Sequence, residues 1–91
     1  MALTLLSAAA STGASSAVIR PLAAGYRTTS LWQISITGVA TVAIEGRLSS
    51  SAPYTTITTA TASMVAETVT MPDMRIEVLS LSSGTVSAWT V

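Results

Sequence analysis

Apolar and polar residues alternate with a period of two from residue 17 to the end of the chain. The clearest case is the range 28–37, where Trp32, Ile34 and Ile36 share one face and polar residues occupy the other. Such alternation predicts β-strands with one face in a core, and no apolar stripe recurs at helical spacing over more than two turns. The predicted strands cover residues 17–20, 28–37, 40–48, 54–58, 63–70, 74–81 and 85–91.

Glycine, proline and serine separate these predicted strands. Gly38 and Val39 predict a tight connection, and the Ser-Ser-Gly run that ends at Gly84 predicts a three-residue hairpin loop. Pro72 and Asp73 predict a further turn. Six to seven short strands at about ten-residue spacing are typical of an all-β fold, a small antiparallel β-sandwich or barrel.

The start of the chain has a different composition. We expect residues 1–16 to form an N-terminal arm and residues 17–91 to form one β-sandwich domain. The apolar stretch of the arm fits either a short helix or an extended segment. It lacks the basic start of a secretory signal, since the first cation is Arg20, and is too short to span a bilayer. The candidate partner contacts in the arm are Leu3, Leu5 and Leu6.

The composition is typical of a protein whose surface packs against other proteins. The chain has 91 residues, of which only 9% are charged, and its formal net charge is zero, whereas soluble domains usually carry about 25% charged residues. Serine, threonine and alanine make up nearly half of it, and such short side chains lose little entropy when a surface packs. We therefore expect oligomerisation or docking onto a larger body, and no nucleic-acid or membrane partner.

The residues of common catalytic sites are scarce. Without His or Cys, the usual general base, the commonest metal ligand and any disulfide are excluded, and a serine nucleophile has no His or Lys base. Glu45 precedes Arg47 by two residues and Arg75 precedes Glu77 by two, so each carboxylate has a cation on the same face of its strand, which favours an ion pair over a pair of catalytic carboxylates. We expect no cofactor, no metal and no enzyme activity.

These charges instead predict a ladder of ion pairs between two strands, with Glu45, Arg47, Asp73 and Arg75 as its members. If the strands pair antiparallel, placing Glu45 opposite Glu77 would set Arg47 against Arg75, and like charges destabilise a sheet. A slide of two residues keeps every side chain on its own face. It places Glu45 opposite Arg75 and Arg47 opposite Asp73, which is the register we predict.

The aromatic residues allow two interpretations. Trp32, Trp89, Tyr26 and Tyr54 could form a flat platform for a sugar, or the tryptophans could belong to the core, where large aromatic side chains dominate small domains. Alignment of Trp32 with the isoleucines favours the core. Tyr26 and Tyr54 both lie next to turns, so they remain candidate surface or partner contacts.

Two runs of the sequence, TSLWQISITGVATVAIEGRLSSSAPYTTI and the C-terminal PDMRIEVLSLSSGTVSAWTV, resemble small accessory virion proteins of tailed bacteriophages. In that family a strand with Trp leads to a Gly turn, a strand ending in Glu-Gly-Arg or Glu-Gly-Ser, a Ser-rich loop with an aromatic residue, and a final Arg-bearing hairpin. The resemblance covers residues 28–91. The matching positions are Trp32, Gly38, Glu45, Gly46, Arg47, Tyr54, Arg75 and Gly84.

The resemblance implies a structural protein of the virion, a capsid decoration or cement subunit that binds the major capsid protein on the outside of the head. It also implies a homo-oligomer, with a trimer favoured. A head–tail or tail component is the nearest alternative that it allows. From the residues alone, a carbohydrate-binding or other surface-binding β-sandwich module is the rival hypothesis, and it would use Tyr26 and Tyr54.

Overall fold

In a computed structural model, residues 2–19 and 28–91 are described, and they contain seven β-strands and no helix. All strand pairs are antiparallel and belong to one sheet. The all-β antiparallel class predicted from the alternation is therefore confirmed. The strands are β1 (Leu3–Ala9), β2 (Gly13–Ala14), β3 (Val18–Ile19), β4 (Thr29–Arg47), β5 (Thr55–Ala60), β6 (Met64–Val69) and β7 (Asp73–Thr90).

Two long strands, β4 and β7, form the centre of the sheet. They pair with each other from Trp32 opposite Thr90 to Arg47 opposite Asp73. The far side of β7 carries β1, β2 and β3 in succession, and the far side of β4 carries β6 and β5. Each edge of the sheet is thus built from short strands, while the middle is continuous.

Both long strands are bent. A strand rises about 3.3 Å per residue, so the 19 residues of β4 would extend about 60 Å, yet the longest dimension of the molecule is 42 Å. The bend lies where Gly38 faces Gly84, with φ angles of 93° and 80°. The edge strands are interrupted at the same level, between β1 and β2 and between β5 and β6, so the sheet folds over along one line.

The fold divides the sheet into two halves that share one core. The Trp32 half consists of residues 29–37 and 85–90 with β1 and β6, and the Glu45 half consists of residues 40–47 and 73–81 with β2, β3 and β5. One hydrophobic cluster takes side chains from both halves, which gives a sandwich-like arrangement. Its buried members are Trp32, Ile34, Ala40, Val42, Ile44, Ala60, Met74, Ile76, Val78, Val86 and Ala88. Of the three residues that the alternation aligns on one face in the range 28–37, Trp32 and Ile34 are buried in this cluster, whereas Ile36 is half-buried and packs against it.

Two of the predicted turns, at Gly38 and Gly84, are wrong. Neither Gly38–Val39 nor the run before Gly84 is a hairpin loop, because both positions lie inside continuous strands. A Cβ atom on Gly84 would collide with the carbonyl oxygen of Thr37. The glycines allow two bent strands to approach closely and adopt positive φ, and a hairpin loop requires the same residue for the same reason. The sequence signal could not distinguish a bend from a turn.

Two β-bulges in β7 leave its core-facing side chains on the same face of the strand before and after the bend. They lie on either side of the pairs that Ala40 makes with Leu81 and Thr41 makes with Ser80. One bulge would turn every later side chain to the opposite face, since the side-chain period of a strand is two. The second bulge restores the original face. The inward residues of β7 are accordingly Met74, Ile76 and Val78 before the bulges and Val86 and Ala88 after them.

The segment expected to form an arm, residues 1–16, contributes β1 and β2 to the sheet. It is extended, which decides between the two conformations that its sequence allowed. Leu5 and Leu6 pack against the core. Beyond β2, Ser15 N donates to Ile76 O at 2.7 Å and Ile76 N donates to Ser15 Oγ at 3.0 Å.

Gly84→Ala should destabilise the protein strongly. The substitution forces a side chain into the left-handed region, which costs about 1–2 kcal/mol, and adds the collision with Thr37 O. Since 1 kcal/mol shifts the melting temperature of a small domain by roughly 4–8 °C, we expect a fall of at least about 8 °C by calorimetry. Ser82→Ala, an exposed neighbour, is the control, and an unchanged melting temperature for Gly84→Ala would contradict the bend.

Trp32→Ala should unfold much of the population. The Trp32 side chain is 1% exposed, and its Nε1 donates to Thr68 Oγ1 at 2.7 Å. Removal of a buried tryptophan costs roughly 3–5 kcal/mol, a large part of the stability of a small domain. Urea unfolding followed by circular dichroism measures the loss. Val39→Ala, at a position 63% exposed on the same strand, should leave the midpoint nearly unchanged.

Candidate functional site

Most of the charge in the described chain is collected on one surface. Five of the six charged side chains in residues 2–19 and 28–91 lie on the outer face of the Glu45 half. They project outward because they occupy odd positions of β4 and β7, whose even positions there enter the core. We call this group, together with one tyrosine, the Tyr54 cluster. Its members are Glu45, Arg47, Tyr54, Asp73, Arg75 and Glu77.

The cluster is held together by ion pairs across the two central strands. Arg47 Nε lies 2.7 Å from Asp73 Oδ2, and Arg75 Nε lies 2.7 Å from Glu45 Oε1. Arg75 Nη2 also approaches Glu77 Oε1 at 3.8 Å. Glu45 is opposite Arg75 and Arg47 is opposite Asp73, which is the register that separates the like charges.

Tyr54, from the loop between β4 and β5, covers the ladder. Its ring centroid lies 4.2 Å from Arg47 Cζ and 3.8 Å from Arg75 Cζ, within the range of cation–π attraction. Its hydroxyl donates a hydrogen bond to Asp73 Oδ1. Under this cover Glu45 and Asp73 are each only 6% exposed. The carboxylates are therefore buried, and each is paired.

The electrostatic environment of the cluster shifts the pKa values of three of its side chains. Burial alone would raise the pKa of Asp73, but hydrogen bonds from Tyr54 and Arg47 and the charges of Arg47 and Arg75 outweigh it and hold that pKa below its usual value. Burial, with the hydrogen bond to Asp73, raises the pKa of Tyr54. The hydrogen bond to Glu45 raises the pKa of Arg75. A carboxyl group with a lowered pKa is poorly suited to donate a proton near neutral pH.

The Trp32 half presents a different outer surface, which we call the apolar face. It is formed by the outward side chains of β4, β6 and the end of β7. Val65, Val69 and Leu31 are 70%, 56% and 44% exposed, and an open, mainly apolar cavity of about 150 Å³ lies among Leu31, Val65, Trp89 and Val91. In the described part of the chain, Glu67 is the charged residue on this side. Members of the apolar face are Leu31, Val65, Val69, Trp89 and Val91.

The predicted partner contacts are dispersed in the structure. Tyr54 covers the ion pairs, and Tyr26 lies outside the described residues. In β1, Leu3 is half exposed while Leu5 and Leu6 pack against the core. Trp32 is buried, and Trp89 lies on the half of the sheet opposite to Tyr54. These three described aromatic residues therefore do not join in one platform.

Sequence reasoning missed the apolar face. Its signal was present as a break in the alternation, since Leu31 precedes the core residue Trp32 and Val65 follows Met64. Adjacent apolar residues in a strand point to opposite faces, so one of each pair had to leave the core. A search for strands that are apolar on both faces would have found this surface.

Two further features bear on the kinds of site this structure offers. No three His, Cys, Asp or Glu side chains among the described residues come together as ligands for a metal ion. The same residues contain no helix of the length and apolarity that a membrane crossing needs.

Comparison with known proteins identifies no relative. No protein-family model matches the chain, and neither a curated protein nor a solved structure matches it.

Asp73→Asn should remove part of the acid sensitivity of the fold. Because the folded pKa of Asp73 is lowered, its stabilising contribution is present above the unfolded pKa of about 3.9 and is lost as the pH falls through the folded pKa. We expect Asp73→Asn to lose roughly 1–3 kcal/mol at pH 7, with the difference from wild type shrinking below about pH 4.

Urea unfolding at a series of pH values from neutral to strongly acidic measures this difference. Glu67→Gln removes an exposed carboxylate outside the cluster and should follow the wild-type pH profile. A constant gap between wild type and Asp73→Asn at every pH would show that the carboxylate is not stabilised as described.

Proposed function

We propose that this chain is a non-catalytic structural subunit of a tailed-phage virion, which decorates the head by binding the major capsid protein. The proposal combines the resemblance of residues 28–91 to accessory virion proteins with the character of the two outer faces. The observation that carries it is the separation of a charged face, on which every carboxylate lies beside an arginine, from a mainly apolar one.

The Tyr54 cluster supports a structural role for the charged residues. Every carboxylate of the cluster is within ion-pair distance of an arginine, and no buried side-chain nitrogen or oxygen in the described residues lacks a hydrogen-bond partner. Groups that are fully paired within the fold have little remaining capacity to bind or activate a substrate. They stabilise the outer surface of the Glu45 half.

The apolar face supports attachment to another protein. Exposed apolar side chains that are contiguous on a small domain indicate an interaction surface. Depletion of charge at the centre of an interface is also usual, and Glu67, which lies opposite Leu31 and between Val65 and Val69 on β6, is the one charge that the described residues place on this face. Covering Leu31, Val65 and Trp89 would therefore desolvate few charged groups.

The mechanism that we propose is mechanical. A subunit that bridges neighbouring capsid proteins adds buried area at each joint, and binding to the assembled lattice stabilises that lattice by mass action. The subunit would act in several symmetric copies on the outside of the head, with trimers at three-fold positions as the expected arrangement. Attachment at the head–tail junction or on the tail is the alternative location.

Co-sedimentation with virion parts tests the proposal. Purified chain is mixed with heads assembled from the major capsid protein of the same genome and, separately, with tails. We expect saturable binding to heads, and at least about tenfold weaker binding for Trp89→Ser, because a truncated central aromatic residue costs more than 1.4 kcal/mol at a typical interface. Leu48→Ser, at a position 69% exposed outside the apolar face, is the matched control.

Three results would contradict the proposal in whole or in part. Binding to neither heads nor tails would remove the virion role altogether. Binding to tails alone would move the subunit to the alternative location. Equal binding by Trp89→Ser and Leu48→Ser would show that the apolar face is not the attachment surface.

A further inference from the structure

Strand β6 forms a regular free edge of the sheet. It pairs with β4 in unbroken register from Thr29 opposite Val69 to Ile34 opposite Met64. Among residues 2–19 and 28–91, no other strand pairs with β6. Its other side therefore presents main-chain groups of a straight strand, which is the template that another extended strand recognises.

The hydrogen-bond pattern identifies the groups at this edge. Thr70 N donates to Thr28 O at 2.8 Å, one step beyond the pair that Val69 makes with Thr29. Hydrogen-bonded pairs in an antiparallel ladder recur at every second residue. The even-numbered residues of β6 therefore bond to β4, and the main-chain N–H and C=O groups of Val65, Glu67 and Val69 point away from the sheet.

Most of the usual protections of an edge strand are missing from β6. Natural edges carry charged side chains (lysine above all), proline, bulges or very short strands, and of these β6 has only the single carboxylate of Glu67. The other described edges differ: β1 has two register shifts, β5 has one, and β2 and β3 have two residues each. Of the described sheet edges, the edge of β6 is therefore the one best suited to pair with another strand.

We propose that β6 pairs antiparallel with β6 of a second copy of this chain, about a two-fold axis perpendicular to the sheet. A strand that pairs with the same strand of a second copy forms a closed contact. The main-chain groups at the β6 edge of each copy are then satisfied by the other copy, and neither β6 edge stays exposed. The main-chain groups of Val65 and Glu67 in each copy then donate to and accept from the other copy. The pairing requires no virion component, so it stands independently of the proposed attachment.

Charge selects the register of this pairing. Two registers of the β6–β6 pair are possible. Each pairs five residues of one copy with five of the other and keeps the outer faces of both copies on the same side. With Glu67 on the axis, the two carboxylates face each other directly, which destabilises a strand pair. With Ala66 on the axis, Glu67 lies opposite Val65 of the other copy. We infer the register centred on Ala66.

The pairing has a consequence for the apolar face. A two-fold axis perpendicular to the sheet keeps the outer faces of both copies on one side, so two apolar faces become one continuous surface. The opposite edge, where β1, β2 and β3 lie, remains free, and the contact is therefore compatible with three-fold assembly through that edge. One short strand pair is small beside a standard interface of about 1,600 Å², so the dimer should dissociate on dilution.

Sedimentation and amide hydrogen exchange test the pairing on the purified full chain. We expect the mass to rise with concentration from 9.3 kDa by a factor of about two, or in multiples of a dimer where a second contact forms. Amide protons of Val65 and Glu67 should become protected as the concentration rises, whereas those of Ala66 and Thr68 should be protected at every concentration because they bond to β4.

Charge substitutions at Val65 test the register. In the register centred on Ala66, Val65→Glu sets a new carboxylate directly opposite Glu67 of the other copy. This happens at two places in the dimer, so the dimer should weaken by about tenfold. Val65→Lys places a cation opposite Glu67 twice and should leave the dimer within about threefold of wild type. Leu48→Glu, an equally exposed position away from β6, is the control. Melting temperatures of all three variants verify that the fold is retained.

The possible results separate clearly. A monomer at every concentration, or protection of Val65 and Glu67 that does not depend on concentration, would overturn the pairing. Equal weakening by Val65→Glu and Val65→Lys would overturn the register centred on Ala66. Self-association that both Val65 variants leave unchanged would place the contact elsewhere on the molecule.

Discussion

The full-length pairing of β4 with β7 is the interaction on which the rest of the structure depends. These strands supply most of the core, carry every other strand on their outer sides, and hold the ion pairs of the Tyr54 cluster in register. Their facing glycines let the sheet fold back so that both halves cover one core. A chain of this size buries only about 60–65% of its unfolded surface, and the folded-over sheet lets one set of apolar side chains serve as the core of both halves.

The same pairing explains why the two outer faces differ. Odd-numbered positions of β4 point outward along its whole length, but they carry Leu31 and Gln33 before the bend and Glu45 and Arg47 after it. The bend turns these two stretches to opposite sides of the molecule. Five of the six charges in the described residues thereby lie together, each carboxylate beside an arginine, and the opposite outer face carries Glu67 among exposed apolar side chains.

Compensation within the Tyr54 cluster also has an energetic logic. Buried carboxylates are costly unless they are paired and hydrogen-bonded, and Glu45 and Asp73 meet both conditions. The cluster thus fixes the register of the central strands, because a slide of β7 by one residue would send Asp73, Arg75 and Glu77 into the core. Its contribution is to specificity of pairing more than to the total free energy of folding.

The sequence by itself determined the all-β class, most core residues and the register of the central strands, because side-chain alternation and charge pairing are local patterns that a strand converts directly into faces and neighbours. It also indicated Gly38 and Gly84 as special positions. Only the tertiary structure decided that they face each other in a bend, that residues 1–16 contribute strands along β7, and that Tyr54 covers the ion pairs. These outcomes depend on contacts between residues far apart in the chain, and a positive φ or an exposed aromatic residue near a turn has the same local signature whichever distant partner it meets.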